Sequence, residues 1–138
     1  MGSMLRGGRS SGTQDIRSGP DVLLIEGEAP LRALLRRIVE SVGYGALEAR
    51  DYPEALHLLS GAARSVRLVL VDLAEPGISG VQGLRRHLPG GAKLLLLSTA
   101  TSERAEVRAL PDGVAFYLAN PFRADVLAAK VRELLEER

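Results

Sequence analysis

From Asp21 onward, short unbroken apolar runs alternate with stretches in which apolar residues return every three or four positions. The runs fall at 22–25, 68–71, 94–97 and 116–118, with a weaker one at 46–49. Continuous apolar strands of this length suit a parallel sheet covered on both faces, since neither face is left for water. Between them lie helical patterns. Leu31, Leu34, Leu35, Ile38, Val39 and Val42 follow the i, i+3, i+4, i+7 rule and predict a first helix. Asp51-Tyr-Pro-Glu54 reads as a capping box with an early proline, opening a second helix through Leu56 and Leu59. Ser79 with Gln82 repeats the capping logic, and Val81, Leu84 and Leu88 give that third helix one apolar stripe. A shorter fourth helix is predicted over 102–110, stopped by Pro111, and a last one carries Val126, Leu127, Val131, Leu134 and Leu135.

Five such strand–helix units predict an α/β fold with a doubly wound parallel sheet, because right-handed crossovers place helices on both faces. A sheet of this kind binds its ligand beyond the carboxyl ends of the strands. Glu26, Asp72, Ser98 and Asn120 follow or close four of the apolar runs, so topology alone gathers two acids, a hydroxyl and an amide at one edge.

The first twenty residues have a different character: Gly, Ser and Arg dominate and no period appears. Residues 1–4 read as a remnant of expression and the stretch to Pro20 as a flexible linker, leaving 21–138 as one domain. The remaining composition is ordinary for a globular chain, and 138 residues suffice for one sizeable core. A net charge of +1 with no basic block argues against a nucleic-acid footprint. No cysteine is present, which removes disulfide and thiolate chemistry. No apolar run approaches a membrane span of roughly 18 residues, so no membrane partner is expected and a cytoplasmic location is.

Clustered carboxylates favour a hard cation such as Mg²⁺ over a bare phosphate. The loop Glu26-Gly-Glu-Ala-Pro30 has one glycine and two negative charges, unlike the glycine-rich turn a dinucleotide site requires. A flavodoxin-like domain for a small phosphorylated ligand meets the same objection. His57 and His87 show no metal-ligand spacing and take no role; Arg36, Arg37, Arg85 and Arg86 read as solvated helix faces.

The segment LVLVDLAEPGISG (68–80), an apolar strand, an aspartate and a Pro-Gly turn, resembles the phospho-acceptor segment of the response-regulator receiver domains of two-component signalling. FYLANPF (116–122) is similar to their last-strand motif, and VLLIEGEAPLRALLRR (22–37) to their opening strand, acidic pair and first helix. The resemblance spans 22 to about 135 and implies a flavodoxin-like sheet of order 2-1-3-4-5 with no independent catalytic activity. It implies that Asp72 accepts a phosphoryl group from a histidine kinase or phosphotransfer protein. Ser98 matches the hydroxyl that bonds the phosphoryl group, Tyr117 the aromatic that switches with it, and Pro121 a cis-proline step. Mg²⁺ would be held by Glu26, Asp72 and the backbone carbonyl of Ala74. A partner would dock on the surface of the fourth helix, fifth strand and last helix. The linker-first layout fits the C-terminal receiver of a hybrid sensor kinase.

This chain departs from the family where chemistry is carried. Gly27 replaces the second member of the acidic pair, which binds the metal directly, and Asn120 stands where the family has lysine. Losing one donor at such a site costs on the order of 3–4 kcal/mol in transition-state stabilisation. Two expectations follow: a receiver with weak or absent Mg²⁺ binding that still accepts phosphate on Asp72, or a pseudo-receiver that docks proteins without phosphorylation. Arg123 is a substitute cation if it turns toward the site and a solvated arginine if it does not.

Overall fold

The computed structural model describes residues 20–73, 83–98, 115–119 and 121–136. The elements are β1 (Val22–Ile25), α1 (Ala29–Ser41), β2 (Ala46–Ala49), α2 (Tyr52–Leu59), β3 (Leu68–Asp72), β4 (Lys93–Ser98), β5 (Ala115–Ala119) and α3 (Ala124–Glu136). The strands form one five-stranded sheet of order β2-β1-β3-β4-β5. Every pairing is parallel. This is the doubly wound parallel sheet that the alternation of apolar runs and helical periods predicts, in the flavodoxin-like order that the family resemblance implies.

Strand alternation divides the apolar residues into two cores. Leu23, Ile25, Val69, Val71, Leu94 and Leu96 meet Ala55 and Leu59 of α2 on one face. Val22, Leu24, Leu68, Leu70, Leu95 and Leu97 meet α1 and α3 on the other. All twelve strand residues have no exposed surface, and each such side chain contributes about 1.5–3 kcal/mol of transfer free energy. The central strands carry apolar residues on both faces, and Glu26 and Asp72 come at their ends.

Local signals set the helix limits. Pro30 sits in the first turn of α1, where its missing N–H costs nothing. Gly43 takes φ 94°, a left-handed conformation that glycine adopts without strain, and its N–H bonds Glu40 O at 3.0 Å to close the helix. At α2, Asp51 Oδ1 accepts from Glu54 N at 2.9 Å as the sequence predicts. The reciprocal arm is displaced: Glu54 Oε1 accepts from Arg50 N at 2.8 Å, one residue before the cap. Three apolar residues of the predicted helices, Leu34, Leu56 and Val126, are exposed among the described residues. Of the predicted third helix, residues 83–85 are helical and Leu84 is buried. The start of that helix at Ser79 and the whole fourth helix (102–110) lie outside the described residues.

Cations tie the last helix to the edge of the sheet where strands begin. Arg67 Nη1 donates to Leu135 O at 3.0 Å and Nη2 to Asp21 Oδ1 at 3.2 Å. Lys93 Nζ donates to Leu134 O at 3.2 Å. Positive groups on terminal carbonyls answer both their unmet hydrogen bonds and the negative end of the helix dipole. Glu26 and Asp72 lie at the opposite edge. Among the described residues no helix is long and apolar enough to cross a membrane.

Candidate functional site

Ile25 and Val71 are paired in register across β1 and β3. Glu26 and Asp72 each come one residue later, so adjacent strands deliver both carboxylates to the same edge. Glu26 N donates to Ala49 O at 3.0 Å, which extends the β1–β2 ladder by one step and fixes where the side chain leaves the backbone. Asp72 pairs with Leu97, and Leu73 N donates to Leu97 O at 2.9 Å, so the Asp72 backbone is held from its other side by β4.

Both acids are buried: Glu26 is 1% exposed and Asp72 7%. Carboxylates are rarely so enclosed without compensation. Glu26 Oε2 accepts from Glu28 N at 2.9 Å. Glu26 Oε1 is buried and has no hydrogen-bond partner among the described residues. Burial raises the Glu26 carboxyl from 4.5 to about 7, against the opposing pull of the Glu28 N–H; the Asp72 carboxyl beside it adds to the rise. Two acids thus share one enclosure, and the Glu26 carboxyl resists giving up its proton there.

Such a pair suits a hard divalent cation that takes carboxylate oxygens and keeps waters of its own. The orphaned Glu26 oxygen is the specific point of fit. Gly27 offers no side-chain ligand, and no group of three or more acidic or histidine side chains among the described residues is arranged around a metal ion. Glu26 and Asp72 are therefore the side chains that could hold Mg²⁺. Ala74, expected to add a carbonyl, lies outside the described residues.

The other predicted residues fall around this pair. Ser98 closes β4 and pairs with Ala119, and Tyr117 pairs with Leu96. Register thus sets Ser98 at the carboxyl edge one strand from Asp72, with Tyr117 two residues before Ala119. Asn120 lies outside the described residues, and Pro121 just after it is exposed. Arg123 does not turn toward the acids. Its guanidinium makes two bonds to Asp125, at 3.1 and 2.9 Å, and its side chain is 79% exposed. His57 and His87 are exposed.

Two residues escaped the sequence reading. Arg32 Nη1 donates to Glu26 O at 2.9 Å and reaches Gly27 O at 3.4 Å, while its Nε bonds Glu48 at 2.9 Å. Arg36, read from sequence as lying on a solvated helix face, is 40% exposed and also bonds Glu48 Oε2 at 2.8 Å and Glu40 at 3.0 Å. The Arg36 bond is the largest of the influences that hold Glu48 below the usual carboxylate range. The available signal was one acid within the otherwise apolar strand Ala-Leu-Glu-Ala, opposite arginines four apart on α1.

The fold and this edge of acids coincide with a known family. The family described as "Response regulator receiver domain" matches residues 22–132, and the chain belongs to it. Its relatives include the phosphate regulon transcriptional regulatory protein PhoB of Escherichia coli K12, 29% identical over 118 residues, covering 83% of this chain and 51% of that protein. The KDP operon transcriptional regulatory protein KdpE of the same organism is 31% identical over 116 residues, covering 83% and 51%. The chain thus spans about half the length of the curated relatives it matches. Among solved structures, the receiver domain of the Francisella response regulator 1452 superposes with a TM-score of 0.70 at 25% identity, covering 86% of this chain and 98% of that one. The receiver domain of the hybrid histidine kinase CckA gives 0.66 at 28% identity, covering 84% and 99%. The protein is a receiver domain of two-component signalling. Receiver domains generally bind Mg²⁺ at their acidic pocket and interact with histidine kinases or phosphotransfer proteins.

Proposed function

We propose that Asp72 is a phospho-acceptor. One Asp72 oxygen attacks the phosphorus of a phosphohistidine on the partner, an O–P bond forms, and the P–N bond to the imidazole breaks. The chain's share of this chemistry is placement and charge management, as in phosphoryl transfer generally. Glu26 and Asp72 would hold Mg²⁺, which when bound supplies positive charge for the phosphoryl oxygens. Ser98, one strand away, would bond a phosphoryl oxygen after transfer, and Tyr117 would follow it. The docking surface would combine the 102–110 segment, β5 and α3. The observation that carries this reading is the buried pairing of Asp72 with Glu26, whose Oε1 has no partner among the described residues.

Gly27 and Asn120 favour a second reading, a pseudo-receiver that docks proteins without being phosphorylated. Labelling with acetyl phosphate at millimolar Mg²⁺, followed by intact-mass measurement, separates the two. A mass gain of one phosphoryl group, absent from Asp72→Asn, supports the acceptor role. No gain in the wild-type chain, together with no amide shifts on adding beryllofluoride, sinks it and leaves the pseudo-receiver.

A further inference from the structure

The loop that carries Glu26 has an unusual support. Glycine at 27 adds no side chain to pack, and Gly27 and Glu28 are exposed. Glu26 nevertheless enters the enclosure with Glu28 N donating to its Oε2 at 2.9 Å. The Arg32 guanidinium spans the base of this loop, one nitrogen on the carbonyls of Glu26 and Gly27 and another on Glu48. Its side chain is only 15% exposed, and Glu48 is itself bonded by Arg36.

An ion pair at the surface contributes little, because water screens it and two long side chains lose freedom. This one differs in what it touches. A guanidinium has fixed donor directions, so a nitrogen committed to Glu48 leaves the others pointed where the loop carbonyls lie. Those carbonyls belong to the peptides on either side of Gly27. Turning either peptide moves the Glu26 side chain or the Glu28 N–H that bonds it. We infer that Arg32, anchored by Glu48, is a positioning residue of the acid pocket, fixing the main chain around Gly27 so that Glu26 stays beside Asp72. Arginine here restrains the glycine peptide through its carbonyls, a restraint independent of any side chain at 27.

The metal arm of the test rests on the function proposed above; the geometric arm does not. On ¹⁵N-labelled protein, exchange of the Glu28 amide with water is measured by NMR in wild type, Arg32→Met, Arg32→Lys and Glu48→Gln. Arg32→Met is expected to speed that exchange by about tenfold while the β1 amides stay protected. Arg32→Lys, whose ammonium can reach the carbonyls without the fork, recovers part of the protection, and Glu48→Gln falls between wild type and Arg32→Met. Half-saturation by Mg²⁺, followed through the Glu26 and Asp72 amides, is expected to rise about fivefold in Arg32→Met with the β1 amides unmoved. Unchanged Glu28 exchange in Arg32→Met overturns the inference, and if that variant does not fold, wild-type exchange in Glu48→Gln does so. A wild-type chain that takes up no Mg²⁺ defeats the proposed metal site, while the Glu28 exchange still decides the role of Arg32.

Discussion

Glu26 and Asp72 stand at the same height on neighbouring strands because Ile25 and Val71, the residues before them, are register partners. Their proximity is a property of the sheet, set by the interlocked leucine, isoleucine and valine side chains beneath it. A slip of one residue between β1 and β3 would separate the acids and turn Val22 and Leu24 out of their core together. Fold and site are thus specified by the same packing.

The raised Glu26 pKa makes stability depend on pH in the metal-free protein. The carboxyl titrates at 4.5 in its ordinary state and at about 7 when folded, so between these values the folded chain holds more proton than the unfolded one. Stability from this group is complete below pH 4.5 and is lost as pH rises through 7, by up to about 3 kcal/mol. Urea unfolding in EDTA from pH 4.5 to 8 should show this decline, and Glu26→Gln should flatten it. Added Mg²⁺ should recover stability mainly at the high end, where the carboxylate is available.

Gly27→Asp supplies the side-chain ligand the acidic loop lacks. Its affinity for Mg²⁺, measured by titration of amide shifts, should increase by about tenfold, a gain of about 1.4 kcal/mol. Equal affinities would show that the carboxylate at this position does not reach the cation.

Tyr52, at the start of α2, buries its hydroxyl with no partner among the described residues, and burial pushes the phenol upward. Tyr52→Phe removes a polar atom that no described group satisfies. It should stabilise the fold by about 1 kcal/mol, read from the urea midpoint at constant slope.

Arg67→Met tests the tie at the other edge of the sheet. It removes the bonds to Leu135 O and to the buried Asp21, and the cation that lies 5.8 Å from the Tyr44 ring centroid. A loss of about 1–3 kcal/mol is expected, since a buried acid and a helix-terminal carbonyl each lose a charged hydrogen-bond donor. Phosphoryl labelling at the far edge should be unchanged.

The fold was legible because its signals are redundant. Four of the five strands are unbroken apolar runs, and Asp51 with Pro53 marks the start of α2 independently of periodicity. Glu26 and Asp72 were legible for the same reason, as the first charges after such runs. Arg32 was not, since its partners are two backbone carbonyls and one acid sixteen residues away, and a sequence displays neither. Val126 counts toward the apolar period of the last helix yet is 44% exposed, since periodicity marks a face without saying which of its residues meet a neighbour.

The strand that carries Glu48 is also an outer strand of the sheet, four residues long. An unpaired strand edge offers backbone donors and acceptors to any extended chain that meets it, and is a common seed of aggregation. Here the exposed edge is short, and its third residue carries a charge engaged by two arginines from the helix above. Among the described residues, any chain pairing with this edge would lie beside that charged cluster. The ion pairs that anchor Arg32 at the acid loop therefore also set a charged cluster on an outer strand of the sheet.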